Sequence, residues 1–443
     1  MNTFSLYRLV MSRLTLTSIV ASTLLGVCSL GFAQHPRDCL PYTECRMTAC
    51  EPCQQVCEPC EPVCDVSCFK PKASKIKTYG WIAAGITGNS NGSGNRYVDQ
   101  SDNDNPFGRR KLTALSGNSY LLGTQQPADF KVNQLWLGMV KPLDTRHGFD
   151  WGFQVDAVYG TDGVYAQSFG NRTFDYDWGR EDYDFAIAQL CGEVGYKKWK
   201  LRVGKFGSLM VHEQFPAAMN FFNSHPYSCY STPLHFSGAM LDYEANKQLT
   251  LSGGWTTGSN GGFENRFGDN GFFGKATFRP TNALSITYNV YVGQSIGGRY
   301  REYRRQDDFT QSVVVSYKIS SRMTYNADWH WSDNKRYEPD ARSRAYGVNQ
   351  DLIYAVNQKW SVGMRFEWLY NRGGLFDSPD ISGGEGTDIF ALTYAVNWSP
   401  TKWFTLKPEI RYDWSTYANG FKPFANGTSA EQLSAGCTAI FKF

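Results

Sequence analysis

The feature that most constrains the fold is an alternation, with few exceptions, of apolar and polar side chains in segments of about ten residues. Residues 360–370, for example, read Trp-Ser-Val-Gly-Met-Arg-Phe-Glu-Trp-Leu-Tyr. Because successive side chains of a strand point to opposite faces, each such segment predicts a strand with one apolar and one polar face. About ten residues is also the length of a tilted strand that spans a membrane. The same pattern recurs in residues 149–159, 199–204, 284–292, 323–332 and 404–414.

The composition agrees with a barrel in a membrane. Aromatic residues make up 15% of the chain, yet the mean hydropathy is −0.43. After the N-terminus the sequence has no apolar run of about 18 residues, which a membrane-spanning helix requires. A barrel needs only alternate apolar residues, with aromatic side chains at the two membrane interfaces. The net charge of +3 is too small to indicate a nucleic acid as a partner.

A soluble antiparallel sheet with one wet face would also alternate. Two features favour the membrane: the polar positions carry full charges, and short connections alternate with long ones, as between the two rims of a barrel. We therefore predict an all-β, transmembrane, antiparallel up-and-down barrel of about 16 strands over residues 76–443. The short connections lie near 145–148, 197–198, 246–247, 281–282, 320–321, 357–359 and 400–402, and the long ones near 90–128, 162–181, 209–234, 260–271, 297–307, 333–341, 373–387 and 416–429.

The first 33 residues predict a secretory signal peptide. Arg8 and Arg13 precede a mostly apolar stretch that ends in Gly31-Phe32-Ala33, with small residues at the cleavage positions. A membrane anchor is the alternative interpretation. With an even number of strands, both ends of the barrel would lie in the periplasm, and the protein would reside in the outer membrane.

Residues 34–75 form a segment rich in Cys and Pro, which we place in the periplasm. A secreted chain favours disulfides, within the segment or to other envelope proteins. Metal binding and free thiols are the alternatives, although no His lies between the first and the last of these cysteines, and we expect no metal. The cysteines concerned are Cys39, Cys45, Cys50, Cys53, Cys57, Cys60, Cys64 and Cys68.

Residues 77–300 resemble the OmpL-like β-barrel porins of bacterial outer membranes. The most specific match runs from Asp150-Trp-Gly to Tyr-Gly-Thr-Asp162, and shorter ones begin at Tyr79, Asn133 and Val203. The alternation that runs into Phe443 is similar to the assembly signal of outer-membrane barrels. The resemblance implies an outer-membrane channel, but it names no solute and does not include the Cys-rich segment.

Charged side chains on the polar face of the strands are the candidates for lining a pore. They carry both signs, which favours a transverse field and weak selectivity. Alternatively, opposed pairs neutralise one another across neighbouring strands. The candidates are Asp150, Asp156, Lys200, Arg202, Asp328, Arg365, Glu367, Lys407, Glu409, Arg411 and Asp413.

The third long connection, residues 209–234, is less polar than a free outer loop, and we expect it to fold inward as a constriction. An outer cap or a subunit contact is the alternative. The residues that would form the constriction are His212, Glu213, Phe215 and Asn220. A bond between Cys191 and Cys229 would pin this connection, and otherwise both are free thiols.

These features favour a porin, a passive aqueous channel for small hydrophilic solutes or ions, with outer-membrane lipid around it and a homotrimer by analogy. A structural envelope barrel, anchored or cross-linked through the Cys-rich segment, is the alternative. We expect no enzyme, no catalytic residues and no cofactor. The one grouping of interest, Asp328, His330 and Ser332, has a spacing of roughly 7 Å between neighbours, too long for direct hydrogen bonds.

Overall fold

A computed structural model describes residues 76–91, 130–168, 174–175, 183–208, 210–263, 270–295, 306–335, 342–372, 386–416, 422, 424 and 429–443. The predicted signal peptide and the Cys-rich segment lie outside these ranges. Within them, no helix is long and apolar enough to cross a membrane.

Sixteen strands in the described ranges form one closed barrel, in which each strand pairs antiparallel with the next and β1 pairs with β16. The predicted up-and-down barrel is therefore confirmed. The strands are β1 (Lys77–Asn89), β2 (Phe130–Lys141), β3 (Phe149–Gly160), β4 (Asp184–Tyr196), β5 (Trp199–Gly207), β6 (His235–Glu244), β7 (Leu249–Ser259), β8 (Gly271–Phe278), β9 (Leu284–Ser295), β10 (Gln306–Lys318), β11 (Met323–Lys335), β12 (Arg342–Ala355), β13 (Trp360–Arg372), β14 (Thr387–Thr401), β15 (Phe404–Thr416) and β16 (Glu431–Lys442).

The two faces of the strands differ as the alternation predicts. On β13, Met364 and Phe366 are 40% and 36% exposed, whereas Arg365 and Glu367 between them are at most 1% exposed. Large apolar side chains that remain exposed around a whole barrel suit hydrocarbon rather than water. Stacked aromatic pairs lie near the ends of the strands, such as Trp199 with Tyr243, whose ring centroids are 4.4 Å apart.

The barrel closes through the first and last strands. Gly80 and Phe443 exchange two backbone hydrogen bonds of 3.0 Å. A Cβ on Gly80 would lie 2.5 Å from the Phe443 ring and 2.6 Å from the carbonyl oxygen of Trp136. Glycine is therefore required where the terminal ring crosses β1.

Apolar side chains also occupy part of the interior. Trp81 and Trp136 face inward from β1 and β2, stack with centroids 4.8 Å apart, and are at most 4% exposed. Their indole nitrogens donate to Gln134 at 3.0 Å and to Asp156 at 2.9 Å. The interior at this wall is thus packed rather than wet.

Candidate functional site: the barrel lumen

The loop between β5 and β6, residues 208–234 and here called L3, lies inside the barrel. It contains a 3-10 turn (Ala217–Met219) and one short helix, α1 (Tyr227–Ser231). Its hydrogen bonds go to inward-facing side chains of β2, β11, β13, β15 and β16, which are remote from β5 and β6 around the ring. A loop can reach all these strands only by crossing the lumen.

Arg365 on β13 is the principal contact of L3 with the wall. Its Nη1 donates to Glu213 Oε1 at 2.7 Å and to the carbonyl oxygen of Ser224 at 2.8 Å. Its Nε donates to Glu367 Oε1 at 2.9 Å, and the guanidinium lies 4.6 Å from the centre of the Phe222 ring. The Arg365 side chain has no exposed surface, so each of these bonds acts where water cannot compete.

Arg411 on β15 continues this network. Its Nη1 donates to Glu367 Oε1 at 2.6 Å and its Nε to Asp413 Oδ1 at 2.8 Å. Tyr227 of L3 covers the guanidinium at 4.8 Å, and its hydroxyl donates to Asp413. Removal of one member would leave a buried charge without its partner, which is costly. The network therefore holds L3 against the wall.

Further contacts fix the middle of L3 to β14, where the Asn397 amide donates to the carbonyl oxygen of Phe221 at 3.0 Å, and to β15. Lys407 Nζ donates to the carbonyl oxygens of Ala217, at 3.0 Å, and of Asn220. Glu409 accepts the backbone N–H of Asn223 at 2.6 Å and that of Ser224 at 3.1 Å. Wall charges thus satisfy backbone groups of an irregular loop, which would otherwise lack partners.

The two ends of L3 contact β11. Asp328 accepts the backbone N–H of His212 at 3.3 Å. Ser231 Oγ lies 2.7 Å from His330 Nε2, and its carbonyl oxygen accepts a bond from the Ser332 hydroxyl at 2.6 Å. Both ends of L3 are therefore bonded to the wall.

Burial shifts the pKa values of two titratable groups of L3 in opposite directions. Desolvation raises the pKa of Glu213 to about 7, despite the nearby positive charge of Arg365. Desolvation, with a smaller contribution from the surrounding cations Arg365, Lys407 and Arg411, lowers the pKa of His225 to about 4. Burial in the docked loop therefore favours the protonated form of Glu213 and the neutral form of His225.

The eleven charges named from the sequence all lie on the inner face, in two groups. Asp150, Lys200 and Arg202 keep 14%, 37% and 29% of their side-chain surface exposed. The remaining eight are less than 9% exposed: Asp156, Asp328, Arg365, Glu367, Lys407, Glu409, Arg411 and Asp413. Most of the eight are covered by L3.

Asp156 is the exception, because wall residues cover it. It accepts hydrogen bonds from Tyr79 at 2.6 Å, Trp136 at 2.9 Å, Gln154 at 2.7 Å and Gln189 at 3.1 Å. Four donors satisfy the carboxylate fully. This residue organises the wall at β1–β4.

The four L3 residues named from the sequence have different surroundings. Glu213 and Asn220 are 5% and 9% exposed. Asn220 accepts the N–H of Gln214 at 2.8 Å and so closes a turn within L3. Phe215 packs on Trp136 with centroids 6.1 Å apart, whereas His212 reaches β11 through its backbone.

The loop between β3 and β4 makes a second buried contact with the barrel, which sequence reasoning missed. Lys205 Nζ donates to Asp175 Oδ2 at 3.1 Å and to the carbonyl oxygen of Ala166 at 2.7 Å. Both charged side chains are fully buried. Asp162 of the same loop accepts from Gln134 at 2.9 Å, and Gln134 also bonds to L3. The two loops are thus connected.

The disulfide considered between Cys191 and Cys229 is absent, since both are free, buried thiols, as is the half-buried Cys437. Burial raises the pKa of the Cys229 thiol, which points to the carbonyl oxygen of Glu213 at 3.9 Å. Hydrogen bonds and ion pairs, rather than a covalent bond, hold L3.

The Ser231–His330 contact has the geometry of a nucleophile and base, but not their environment. His330 is 1% exposed, and its Nδ1 has no partner to orient the ring. In the described part of the chain, no group of three or more His, Cys, Asp or Glu side chains could hold a metal ion.

Comparisons with known structures agree with this architecture. The anion-selective porin from Comamonas acidovorans aligns with a TM-score of 0.53 at 9% identity, over 83% of this chain and 99% of that one. OmpT, an outer membrane protein of Vibrio cholerae folded in vitro and described in a trimer form, aligns with a TM-score of 0.53 at 11% identity, over 83% and 99%. At such identities the likeness shows the fold alone.

Sequence comparison is more specific. None of the curated protein sequences matches this chain. The family described as "Putative beta-barrel porin-2, OmpL-like" matches residues 75–443, which is the whole barrel. The chain therefore belongs to this OmpL-like family of outer-membrane β-barrel porins.

Proposed function

We propose that this protein is a passive, non-enzymatic channel through which small hydrophilic solutes or ions cross the outer membrane. The observation that carries the proposal is the charged inner face of a closed barrel whose outer face is apolar. A soluble or lipid-filled barrel would gain nothing from Lys200 and Arg202, which remain partly exposed on the inner face. At 16 strands, side chains of the wall alone do not fill the interior.

L3 is the constriction in this proposal, with His212, Glu213, Phe215 and Asn220 as the residues that narrow the lumen. Its contacts on both sides of the barrel support the role, because a loop so fixed must reduce the open cross-section. The wall charges beneath L3 would set the size of the pore by holding the loop. The partly exposed charges Asp150, Lys200 and Arg202 would face the permeating solute.

Assembly and surroundings form a further part of the proposal. Outer-membrane lipid would contact the apolar exterior, and a homotrimer is favoured by analogy with the trimer form of OmpT. The N-terminal segment, residues 34–75, would lie in the periplasm after removal of residues 1–33. Its cysteines would form disulfides within the segment or with envelope partners.

Planar-bilayer recording tests the channel. Purified protein should give discrete current steps, and a variant lacking residues 212–226 should give larger ones. Current steps of the same size in the native protein and in this variant would show that L3 is not the constriction. A folded protein that passes no steady current would instead be a structural barrel. Non-reducing gels of the protein and of a variant with Ser at the eight N-terminal cysteines test the cross-linking separately.

A further inference from the structure

A small cavity lies in the lumen wall beside the start of L3. It has a volume of about 30 Å³ and is lined by residues of β5, β6, β8 and β9, together with Met210 of L3. These strands are separate from β13 and β15, which carry the network of Arg365 and Arg411. The polar groups that line the cavity are Arg202, Lys275 and Asn289.

The two cations of this cavity differ in their pairing. Arg202 is bound to Glu193 through Nε at 2.6 Å and Nη2 at 2.5 Å. Around Lys275, by contrast, the described residues offer no carboxylate within ion-pair distance. Asp242 acts on Lys275 only from farther away and accepts the hydroxyl of Ser252. Neither Glu193 nor Asp242 lines the cavity, so its polar wall is positive.

The remaining wall of the cavity is apolar, and three of its side chains are aromatic. Phe236 and Phe273 stack with centroids 5.3 Å apart and planes 11° apart, and Phe206 packs against Phe273 at 6.1 Å. Gly254 on β7 makes room for this arrangement, because a Cβ there would lie 2.6 Å from the Phe273 ring. Rings beside a cation that lacks a partner suit an anion with an apolar body better than a strongly hydrated inorganic ion.

We propose that this cavity, here called the Lys275 site, binds the carboxylate of small organic acids that carry an apolar body, such as benzoate. The inference rests on the proposed channel function, since the solute must enter the lumen to reach the site. A cavity of about 30 Å³ has room for a group at least as large as one water molecule, so a carboxylate oxygen would fit beside Lys275 and Asn289. The apolar body would then lie on Phe273 and project into the lumen.

The site would make the channel prefer organic anions. A binding site in a channel must attract a solute yet release it, so the affinity should be weak. A single cation, aided by an amide and by aromatic contact, fits that requirement.

Isothermal titration calorimetry on the full protein in detergent tests the site without reference to transport. Sodium benzoate should bind, and Lys275→Gln should weaken its affinity roughly tenfold, since a charge-assisted hydrogen bond is lost. Lys275→Arg should retain binding. Phe273→Leu should weaken benzoate more than acetate, because only benzoate uses the ring. Lys198→Gln, which removes a positive charge from an exposed turn, controls for net charge.

Equal benzoate affinity in the native protein and in Lys275→Gln would overturn the proposal, and so would the absence of benzoate binding to the native protein. Circular dichroism of each variant establishes that the barrel has folded. Bilayer recording separates the two proposals: a protein that binds benzoate but passes no current refutes the channel alone. If the native protein conducts and Lys275→Gln has the same benzoate-to-chloride permeability ratio as the native protein, the Lys275 site alone is refuted.

Discussion

Glu213 Oε1 lies 2.7 Å from Arg365 Nη1, although 152 residues separate the two in the chain. One belongs to L3 and the other to β13, and neither side chain is more than 3% exposed. The ion pair therefore ties a loop that leaves the barrel wall at β5 to a strand far around the ring. Its burial makes it sensitive both to substitution and to pH.

Replacement of Arg365 should release L3. Arg365→Ala leaves the buried Glu213 without its cationic partner and leaves Glu367 with Arg411 alone, a loss of about 3–5 kcal/mol in the free energy of unfolding. Urea unfolding of the protein in detergent measures this loss of unfolding free energy. The matched control is Lys200→Ala, since the Lys200–Glu244 pair is 37% and 48% exposed and should contribute at most about 1 kcal/mol. Equal losses in both variants would contradict the role of Arg365.

The stability of the docked loop should change little with pH between about 4.5 and 6.5, because two groups oppose each other there. The pKa of Glu213 is raised from 4.5 to about 7, so its contribution is present below pH 4.5 and is lost as the pH rises through 7. The pKa of His225 is lowered from 6.5 to about 4, so its contribution is present above pH 6.5 and is lost as the pH falls through 4.

Single substitutions should separate these two effects. Glu213→Gln removes the contribution of the carboxyl group, and thermal stability should then fall more on acidification from pH 6.5 to 4.5 than in the native protein. His225→Gln removes the contribution of the histidine, and stability should then fall more than in the native protein as the pH rises from 4.5 to 6.5. Thermal unfolding followed by near-ultraviolet circular dichroism gives the profiles. If both variants kept the profile of the native protein, burial of these groups would not control the loop.

Barrel closure should depend on Gly80. Gly80→Ala places a methyl group 2.5 Å from the Phe443 ring and 2.6 Å from a backbone oxygen, and this overpacking should cost about 1–3 kcal/mol. Gly88→Ala is the control on the same strand, because its nearest atom would be 3.9 Å away. Unfolding free energies in detergent compare the two. A Gly88 variant as unstable as the Gly80 variant would contradict this account of closure.

A charged side chain on the outer face should destabilise the barrel more when it lies deeper in the membrane. Phe366→Arg, near the middle of β13, should destabilise the barrel in lipid by about 2–4 kcal/mol, and Val362→Arg, nearer the strand end, by less. Equilibrium unfolding from lipid vesicles measures both. An arginine tolerated equally well at both positions would indicate that this face does not meet hydrocarbon.

The barrel could be predicted from the sequence because a period of two fixes which face each side chain takes. The outward position of Phe366 and the inward position of Arg365 follow from that phase alone. Phase does not tell what covers an inward residue. Trp81 and Trp136 take their inward positions from that phase, but L3 covers them there, with Phe215 packed against their cluster, and nothing local to β1 or β2 indicates this cover.

The partners of the buried charged residues could likewise not be predicted from the sequence. The partners of Arg411 lie on two strands and on L3, and only the closed ring brings them together. Lys205 shares the phase of the outward Val203 yet is fully buried. The loop between β3 and β4 covers it through Asp175 and the carbonyl oxygen of Ala166. A regular alternation cannot show which loop covers a residue.

Single-channel recording in a planar bilayer tests the central claim most directly. The account predicts stepwise, steady currents from the native protein and larger steps when residues 212–226 are removed. A protein shown to be folded that passes no current in either form would contradict it.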